Sequence, residues 1–279
     1  MFQVKAMSAA DFPFATKLAN TMNWNMAPED FEYMLNLEPQ GCFVLLDSSK
    51  QIGIATCISF GKVGWFGNLI IKEKCRSKGA GSLLVKRAVD YLQSRGVKTI
   101  GLYAYPNLLN FYGRQGFKVN EDFSVLSVET LPPIHAESLT QPNATAVQSI
   151  IKFDCAWFGG DRKKLLKSII YEEGNLCYYM SEGEKVVGYV ACTVYEKMAW
   201  VGPLVCQEGK VDVASLLLKS VLSKIEGKSV YLVLPKKERT LRDMLSNFGF
   251  KEDFSVVRMF LGSNTAKNCI YLAESLERG

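Results

Sequence analysis

A single histidine, His135, stands in a chain of 279 residues. Mechanisms that need a histidine base, and histidine-rich metal sites, are disfavoured from the start. The eight cysteines (Cys42, Cys57, Cys75, Cys155, Cys177, Cys192, Cys206 and Cys269) are scattered, with no C-x-x-C pair. Several lie in apolar, strand-like runs, where a free thiol behaves as a small hydrophobe, so neither a disulfide framework nor a metal is expected. No run of about 18 apolar residues occurs, which argues against a membrane-spanning helix. The opening MFQVKAMSAADF lacks the basic-then-apolar layout of a signal peptide, and a cytoplasmic location is expected. No basic face interleaved with aromatics is visible, so nucleic acid ranks last among partners. What is present is a globular composition, 48% hydrophobic and 22% charged, long enough for two cored domains. The net charge of +5 is mild and spread along the chain; it suits an anionic cofactor.

The chain repeats itself. IGIATCISFGKVGWFGNL (Ile52–Leu69) lies over VGYVACTVYEKMAWVGPL (Val187–Leu204), matching Gly53 to Gly188, Cys57 to Cys192, Lys62 to Lys197, Trp65 to Trp200 and Gly67 to Gly202 at a constant shift of 135. Further on, GSLLVK (Gly81–Lys86) lies over ASLLLK (Ala214–Lys219), and GFKVNEDFSVL (Gly116–Leu126) over GFKEDFSVV (Gly249–Val257), now at a shift of 133. The second copy is therefore two residues shorter between Leu69 and Gly81. A period this long means two copies of one domain, since solenoid units run roughly 20–50 residues. The expected division is residues 1–130, a linker at 131–146 within the proline- and threonine-rich stretch Glu129–Val147, and residues 147–279.

Within a copy, the pattern predicts a strand (Phe2–Lys5), helices near Ala9–Asn23 and Ala27–Leu37, and strands at Gly41–Leu46, Gln51–Phe60 and Trp65–Ile71. A helix Gly81–Arg95 follows, with Leu84, Ala88, Tyr91 and Leu92 spaced for one buried face. A strand (Thr99–Ala104), a short helix (Asn107–Gln115) and a last strand around Phe123–Val128 complete it. The fold class is α/β (α+β), a mixed and mostly antiparallel sheet flanked by helices, occurring twice.

Between strand and long helix stands Arg76-Ser77-Lys78-Gly79-Ala80-Gly81. The first N–H groups of a helix lack intrahelical partners and the dipole there favours anions. Glycines would let a pyrophosphate approach those amides, with Arg76 and Lys78 supplying cations; a tight strand-to-helix turn explains the glycines equally well. No Walker loop is present, and Leu84 excludes the dinucleotide G-x-G-x-x-G. The second copy separates the two readings. It keeps the helix and its leucines but sets Gly209 against Arg76, Asp212 against Gly79 and Ala214 against Gly81. Glycines needed only for folding would be needed there too, so the first loop reads as functional.

LYAYPNLLNFYGRQGF (Leu102–Phe117) places Tyr112 four residues before Gly116-Phe117. Arg-x-x-Gly-x-Gly opening a helix, with Tyr-x-x-x-Gly-Phe some thirty residues later, resembles the GNAT superfamily of acyl-CoA N-acyltransferases. LIIKEKCRSKGAGSLL fits that family's strand, pyrophosphate loop and helix, except that Glu73 stands where proline is usual. Tyr105 stands where asparagine is often found, and AYPNLLNFY is nearer a tandem-GNAT subgroup. MNWNMAPEDFEYML (Met22–Leu35), DCAWFGGDRKKLLKSII (Asp154–Ile170), VGPLV (Val201–Val205) and VRMFLG (Val257–Gly262) also resemble that subgroup, so the likeness covers nearly the whole chain.

The resemblance implies an N-acetyltransferase using acetyl-CoA, without a metal, in the first copy. The pyrophosphate would rest on the amides of Ser77, Lys78, Gly79, Ala80, Gly81 and Ser82, with Arg76 beside them. The pantetheine would add along Leu69, Ile70 and Ile71, one N–H of that strand would face the oxyanion, and Asn107 falls on the cofactor side. Tyr112 would protonate the departing thiolate; thiols ordinarily titrate near 8.5 and tyrosine near 10. Leu245 matches Tyr112 in the second copy and has no proton to give, so that copy is read as degenerate and as shaping the acceptor pocket. On the acceptor side stand Trp24, Glu29, Asp30 and Asp154, while Asp161 is preferred as a helix cap. The acceptor is a small-molecule or peptide amine; a homodimer is left open, and neither nucleic acid nor membrane is expected. A non-catalytic acyl-CoA or metabolite sensor, or a transferase of longer acyl groups, is the alternative.

Overall fold

A computed structural model describes residues 1–263 and 266–279. The first copy runs β1 (Phe2–Ala6), α1 (Phe12–Asn20), α2 (Pro28–Leu37), β2 (Cys42–Asp47), β3 (Lys50–Phe60), β4 (Val63–Ile71), α3 (Ala80–Ser94), β5 (Thr99–Ala104), α4 (Leu109–Gly113) and β6 (Lys118–Val128). The second runs α5 (Ala144–Phe158), α6 (Lys163–Ile170), β7 (Leu176–Glu182), β8 (Lys185–Val194), β9 (Met198–Gln207), α7 (Val211–Leu222), β10 (Ser229–Pro235), α8 (Arg239–Asn247), β11 (Lys251–Leu261) and β12 (Cys269–Leu272).

These strands form one sheet in the order β1-β2-β3-β4-β5-β11-β6-β10-β9-β8-β7, with β12 paired to β9. Only β4–β5 and β9–β10 are parallel among its pairs. The middle of this order merges the copies. β11 belongs to the second copy, yet it pairs with β5 and β6 of the first, while β6 pairs with β10 of the second. Each copy thus lends the strand that follows its short helix, β6 or β11, to the other, and the halves meet as an exchanged pair.

α3 lies where its apolar spacing predicts, with Leu84, Ala88, Tyr91 and Leu92 buried. It covers one face of the first half, over Phe43, Ala55, Cys57, Phe66 and Ile71. α1 and α2 cover the other face, over Cys42, Val44, Ile54 and Ile70. That second face continues into a core built by both copies, in which Ile58, Phe60, Val63 and Trp65 pack with Ile150, Leu165, Tyr189 and Val205.

Two elements differ from the sequence pattern. α1 is shorter than Ala9–Asn23, because Ala9–Asp11 forms a 3-10 turn and Asn23 and Asn25 adopt positive φ. β6 begins at Lys118 and not near Phe123. Its first five residues are polar or exposed and carry no apolar signal; the β11 ladder, from Phe260↔Lys118 onward, makes them a strand.

Candidate active site

The site begins where the sheet comes apart. β4 and β5 pair only at Val63–Thr99, Gly64–Ile100 and Trp65–Gly101, and beyond Trp65 they share no ladder. A bulge marks the divergence. Ile54 pairs Ile70 while Thr56 pairs Gly67, so Asn68 and Leu69 together face Ala55. Asn68 takes φ 50°, a left-handed conformation asparagine tolerates better than most residues, and its amide donates to Thr56 Oγ1 at 3.2 Å. Further along, Lys72 N–H donates to Ile52 on β3. By the alternation of an antiparallel ladder, the backbone groups of Ile71 then point into the β4–β5 gap. The Ile71 carbonyl accepts from Arg76 Nε at 3.0 Å, which ties the following loop to the gap's edge.

That loop turns through a 3-10 turn at Glu73–Cys75, with Ser77 at φ 61° and Gly79 at φ 81°. Glycine adopts the left-handed region without the Cβ penalty. A Cβ at Gly79 would stand in open space, with nothing within 4 Å. Among the described residues, the N–H groups of Ser77, Lys78, Gly79, Ala80, Gly81 and Ser82 meet no acceptor; the first bonded amide is Leu83, to Gly79 C=O at 3.1 Å. Six unpaired donors stand at the start of a 15-residue helix, where the dipole favours negative charge. Gly81 differs from Gly79. Its Cβ would stand 3.2 Å from the Phe111 ring, so the second glycine admits α4 and leaves ligand approach to the first. Ser82 Oγ accepts from Gln115 Nε2 at 3.1 Å, joining the helix start to the turn after α4.

Tyr112 projects from α4 against Phe111, Phe66 and Phe117, with ring centroids 5.0, 6.5 and 6.0 Å away. It is 6% exposed. Its hydroxyl makes no hydrogen bond among the described residues, and burial pushes its pKa well above the ordinary tyrosine value. Such a group keeps its proton at neutral pH until a strong base arrives. Asn107 lies beyond β5 and is exposed, its side chain making no hydrogen bond among the described residues.

On the opposite face, Trp24 Nε1 donates to Tyr105 Oη at 3.1 Å, linking the α1–α2 segment to the end of β5. Glu29 is exposed at the start of α2, and Asp30 accepts from Ala27 N–H at 2.7 Å, which caps that helix. Asp154 lies elsewhere. It is fully buried, its oxygens 2.5 and 3.1 Å from Arg162 and 2.5 Å from Tyr189 Oη. A carboxylate so saturated is a structural anchor with no lone pair facing a pocket, which corrects its placement on the acceptor side. Asp161 accepts from Lys163 N–H at 3.0 Å one residue before the N-cap position, which Arg162 occupies. A cavity on one face of the sheet, bounded by Trp65, Glu121, Trp157, Lys237, Arg258 and Tyr271, touches neither the loop nor Tyr112.

The C-terminal segment carries no motif and was invisible to the sequence pattern. β9 and β10 diverge as β4 and β5 do, pairing only from Met198–Ser229 to Val201–Leu232. In that gap lies β12, antiparallel to β9 from Leu272–Leu204 to Cys269–Gln207. Ala273 N–H then donates to Val233 on β10 at 3.2 Å. The gap that is open in the first copy is filled by the chain itself in the second. From there the tail crosses to the first copy. Ala273 O stands 2.1 Å from where a Gly202 Cβ would be, and Glu277 Cβ and Cα stand 2.5 and 2.6 Å from where a Gly67 Cβ would be. Trp65 Nε1 donates to Leu276 C=O at 3.2 Å. The matched glycines Gly67 and Gly202, visible in the repeat, are where the tail touches each strand; that coincidence was the available signal.

Twin splayed parallel strand pairs, each with a bulge, and one unpaired amide loop opening the helix behind, define an acyl-CoA N-acyltransferase architecture in duplicate. The model of the acetyltransferase (GNAT) family matches residues 10–117, and that of the acetyltransferase (GNAT) domain matches residues 150–271. The chain belongs to the GNAT acetyltransferases, as a tandem protein and a transferase enzyme, and this family uses acetyl-CoA. It is similar to the uncharacterized N-acetyltransferase YitH of Bacillus subtilis (strain 168), 24% identical over 207 residues, 72% of this chain and 71% of that protein. Among solved structures it is similar to a candidate acetyltransferase from Pyrococcus horikoshii (TM-score 0.81, 20% identical, 100% of this chain and 96% of that one). It also resembles a tandem GNAT protein from the clavulanic acid biosynthesis pathway (TM-score 0.61, 13% identical, 93% of this chain and 98% of that one). These structural likenesses concern the fold alone. Among the described residues no helix is long and apolar enough to cross a membrane, and no cluster of metal-ligating side chains occurs.

Proposed function

We propose that the first copy transfers an acetyl group from acetyl-CoA to a primary amine. The observation that carries this reading is the contrast between two copies of one fold. The first keeps an open β4–β5 gap, six unpaired amides and a buried tyrosine whose hydroxyl makes no hydrogen bond among the described residues. The second fills its gap with β12, has Asp212 at the start of α7 and buries Leu245 in its core. β12 also indicates what such a gap accepts: an extended segment that pairs with its edge, as a pantetheine would.

On this reading the amides of Ser77–Ser82, with Arg76 and Lys78, hold the pyrophosphate. Leu69–Ile71 present the strand edge and the bulge to the thioester, and Asn107 borders the same channel. Tyr112 gives its proton to the departing thiolate, with its acidity suppressed by burial until that moment. Trp24, Glu29 and Asp30 border the acceptor side, and the second copy forms the far wall. The unpartnered Tyr112 hydroxyl favours turnover over a sensing role, because a protein that only binds acetyl-CoA has no use for an acid there.

Acetyl-CoA titration by calorimetry, followed by thiol release with spermidine, tyramine and lysine as acceptors, tests the reading. Micromolar binding is expected. Tyr112→Phe should leave that binding within threefold while lowering kcat by about 100-fold, the lower end for removal of a general acid. Absence of binding, or a Tyr112→Phe protein with full turnover, would refute it.

A further inference from the structure

We propose that Glu277, carried by the C-terminal tail, takes the proton from the attacking amine. The inference rests on the transferase reading above and concerns the proton that the attacking amine must lose. Its basis is the position of the tail on β4. Phe66 and Gly67 are neighbours on opposite faces of that strand. Phe66 packs edge-on against Tyr112, while Gly67 has the Glu277 Cα and Cβ against it. Both lie directly before the Asn68–Leu69 bulge where the strands part. The proton donor and Glu277 therefore flank the divergence point from opposite sides, so that an amine can add to the thioester carbonyl from the Glu277 side while the tetrahedral adduct expels its thiolate toward Tyr112.

Two other carboxylates on this face are committed, and Glu29 stands out in solvent at the start of α2. Asp30 caps α2 through Ala27 N–H. Glu274 accepts from Nε and Nη2 of the Arg278 guanidinium, at 2.8 and 3.0 Å. Glu277 meets Arg278 through Oε1, 2.6 Å from Nη1, a single contact where Glu274 has two, and its side chain keeps 20% exposure. The tail itself is fixed. Leu276 C=O accepts from Trp65, Gly279 C=O accepts from Arg162 at 2.9 Å, and Arg278 stacks on Tyr33 of α2 at 5.1 Å. Burial first, and then Glu274 and Asp30, push the Glu277 carboxyl above the usual carboxylate range against the pull of Arg278. Three carboxylates against one arginine leave the face negative, which suits a protonated amine.

The proton balance is complete. A protonated amine gives one proton to Glu277, and the freed lone pair forms the C–N bond at the thioester carbonyl carbon. The C–S bond breaks and the thiolate takes the Tyr112 proton. The second N–H proton of the adduct restores the tyrosine, and Glu277 returns its proton to water. An amine with a lysine-like pKa near 10.4 is neutral in only about one molecule in 2,500 at pH 7, so a base at this point matters.

The test is Glu277→Gln, nearly the same shape, with Glu277→Asp as the variant that keeps a carboxylate. Both are first titrated with acetyl-CoA, where an affinity within threefold of the parent reports an intact fold and donor site. Thiol release with spermidine and tyramine is then followed from pH 6 to 10. Glu277→Gln should lose about 100-fold in kcat/KM at pH 7, with the deficit shrinking toward pH 10 as free amine appears, and Glu277→Asp should recover part of the loss. A Gln variant within threefold of the parent at pH 7, or a deficit equal at every pH, overturns the proposal while leaving the transferase reading standing. A parent that binds no acetyl-CoA, or releases no thiol from it, overturns both.

Discussion

Gly79 is the residue at which the loop can be probed with the least disturbance elsewhere. Its φ of 81° penalises any side chain, by roughly 1–2 kcal/mol for an ordinary L-residue. Alanine and aspartate share that cost, and neither collides with the protein, because nothing lies within 4 Å of the Cβ position. The two variants therefore differ mainly by one carboxylate beside the unpaired amides. A unit charge about 4 Å from another in water is worth about 1 kcal/mol, so two pyrophosphate charges add roughly 2 kcal/mol of repulsion. Acetyl-CoA should bind Gly79→Asp about 30-fold more weakly than Gly79→Ala. In 1 M salt, where screening acts within about 3 Å, most of that difference should vanish. Calorimetric titration of both variants at 0.05 M and 1 M salt measures it. Equal affinity of the two variants at low salt, or a difference insensitive to salt, would refute the pyrophosphate cradle.

Asp154→Asn leaves Arg162 buried without its charge partner; a loss of about 3–5 kcal/mol, or roughly 5–9 °C in thermal midpoint for a chain of this size, should appear in thermal denaturation followed by circular dichroism. Glu38 is opposed by burial but held below the ordinary carboxylate range by hydrogen bonds from Lys164, Tyr91 and Ser59. A lowered folded pKa stabilises above the unfolded value of 4.5 and is lost as pH falls through the folded one, so urea midpoints of Glu38→Gln should decline less than the parent's between pH 5 and 3. Gly202→Ala would place a Cβ 2.1 Å from Ala273 O; displacing the tail at that point should cost about 1–3 kcal/mol in urea unfolding, and an unchanged midpoint would mean that the tail is loosely held.

The strands and the long helix were legible because burial imposes a period on the sequence. Leu84, Ala88, Tyr91 and Leu92 are spaced for one face, and they occupy it. The loop was legible because the repeat supplied an internal control, with Asp212 where Gly79 stands. The first half of β6 was not, since exposed polar residues become a strand only through a partner some 140 positions away. The exchange of β6 and β11 escaped notice for the same reason: equivalent sequences do not say which equivalent neighbour each will choose. Asp154 was misplaced because an aspartate buried against Arg162 and one facing a ligand read identically in a chain. The tail was missed because Glu277 belongs to no motif, and its contact with Gly67 spans 210 positions.

One physical requirement connects the two gaps. Two strands that diverge leave backbone donors and acceptors without partners, and such groups must be satisfied by water, ligand or protein. The second copy satisfies them with β12, a segment of the same chain. In the first copy the corresponding edge is free, which on the proposed reading reserves it for acetyl-CoA. The same tail that closes one gap reaches Gly67 beside the other within four residues of Ala273, at most about 14 Å of extended chain. Closing the second gap is therefore what anchors Glu277 beside the first. On this view the degenerate copy supplies more than a wall. Shortening the tail's reach by deleting one residue between Ala273 and Glu277 should leave acetyl-CoA affinity unchanged and lower amine turnover to the level of Glu277→Gln. Full turnover in that deletion would separate the two gaps and remove the reason for the tail to span them.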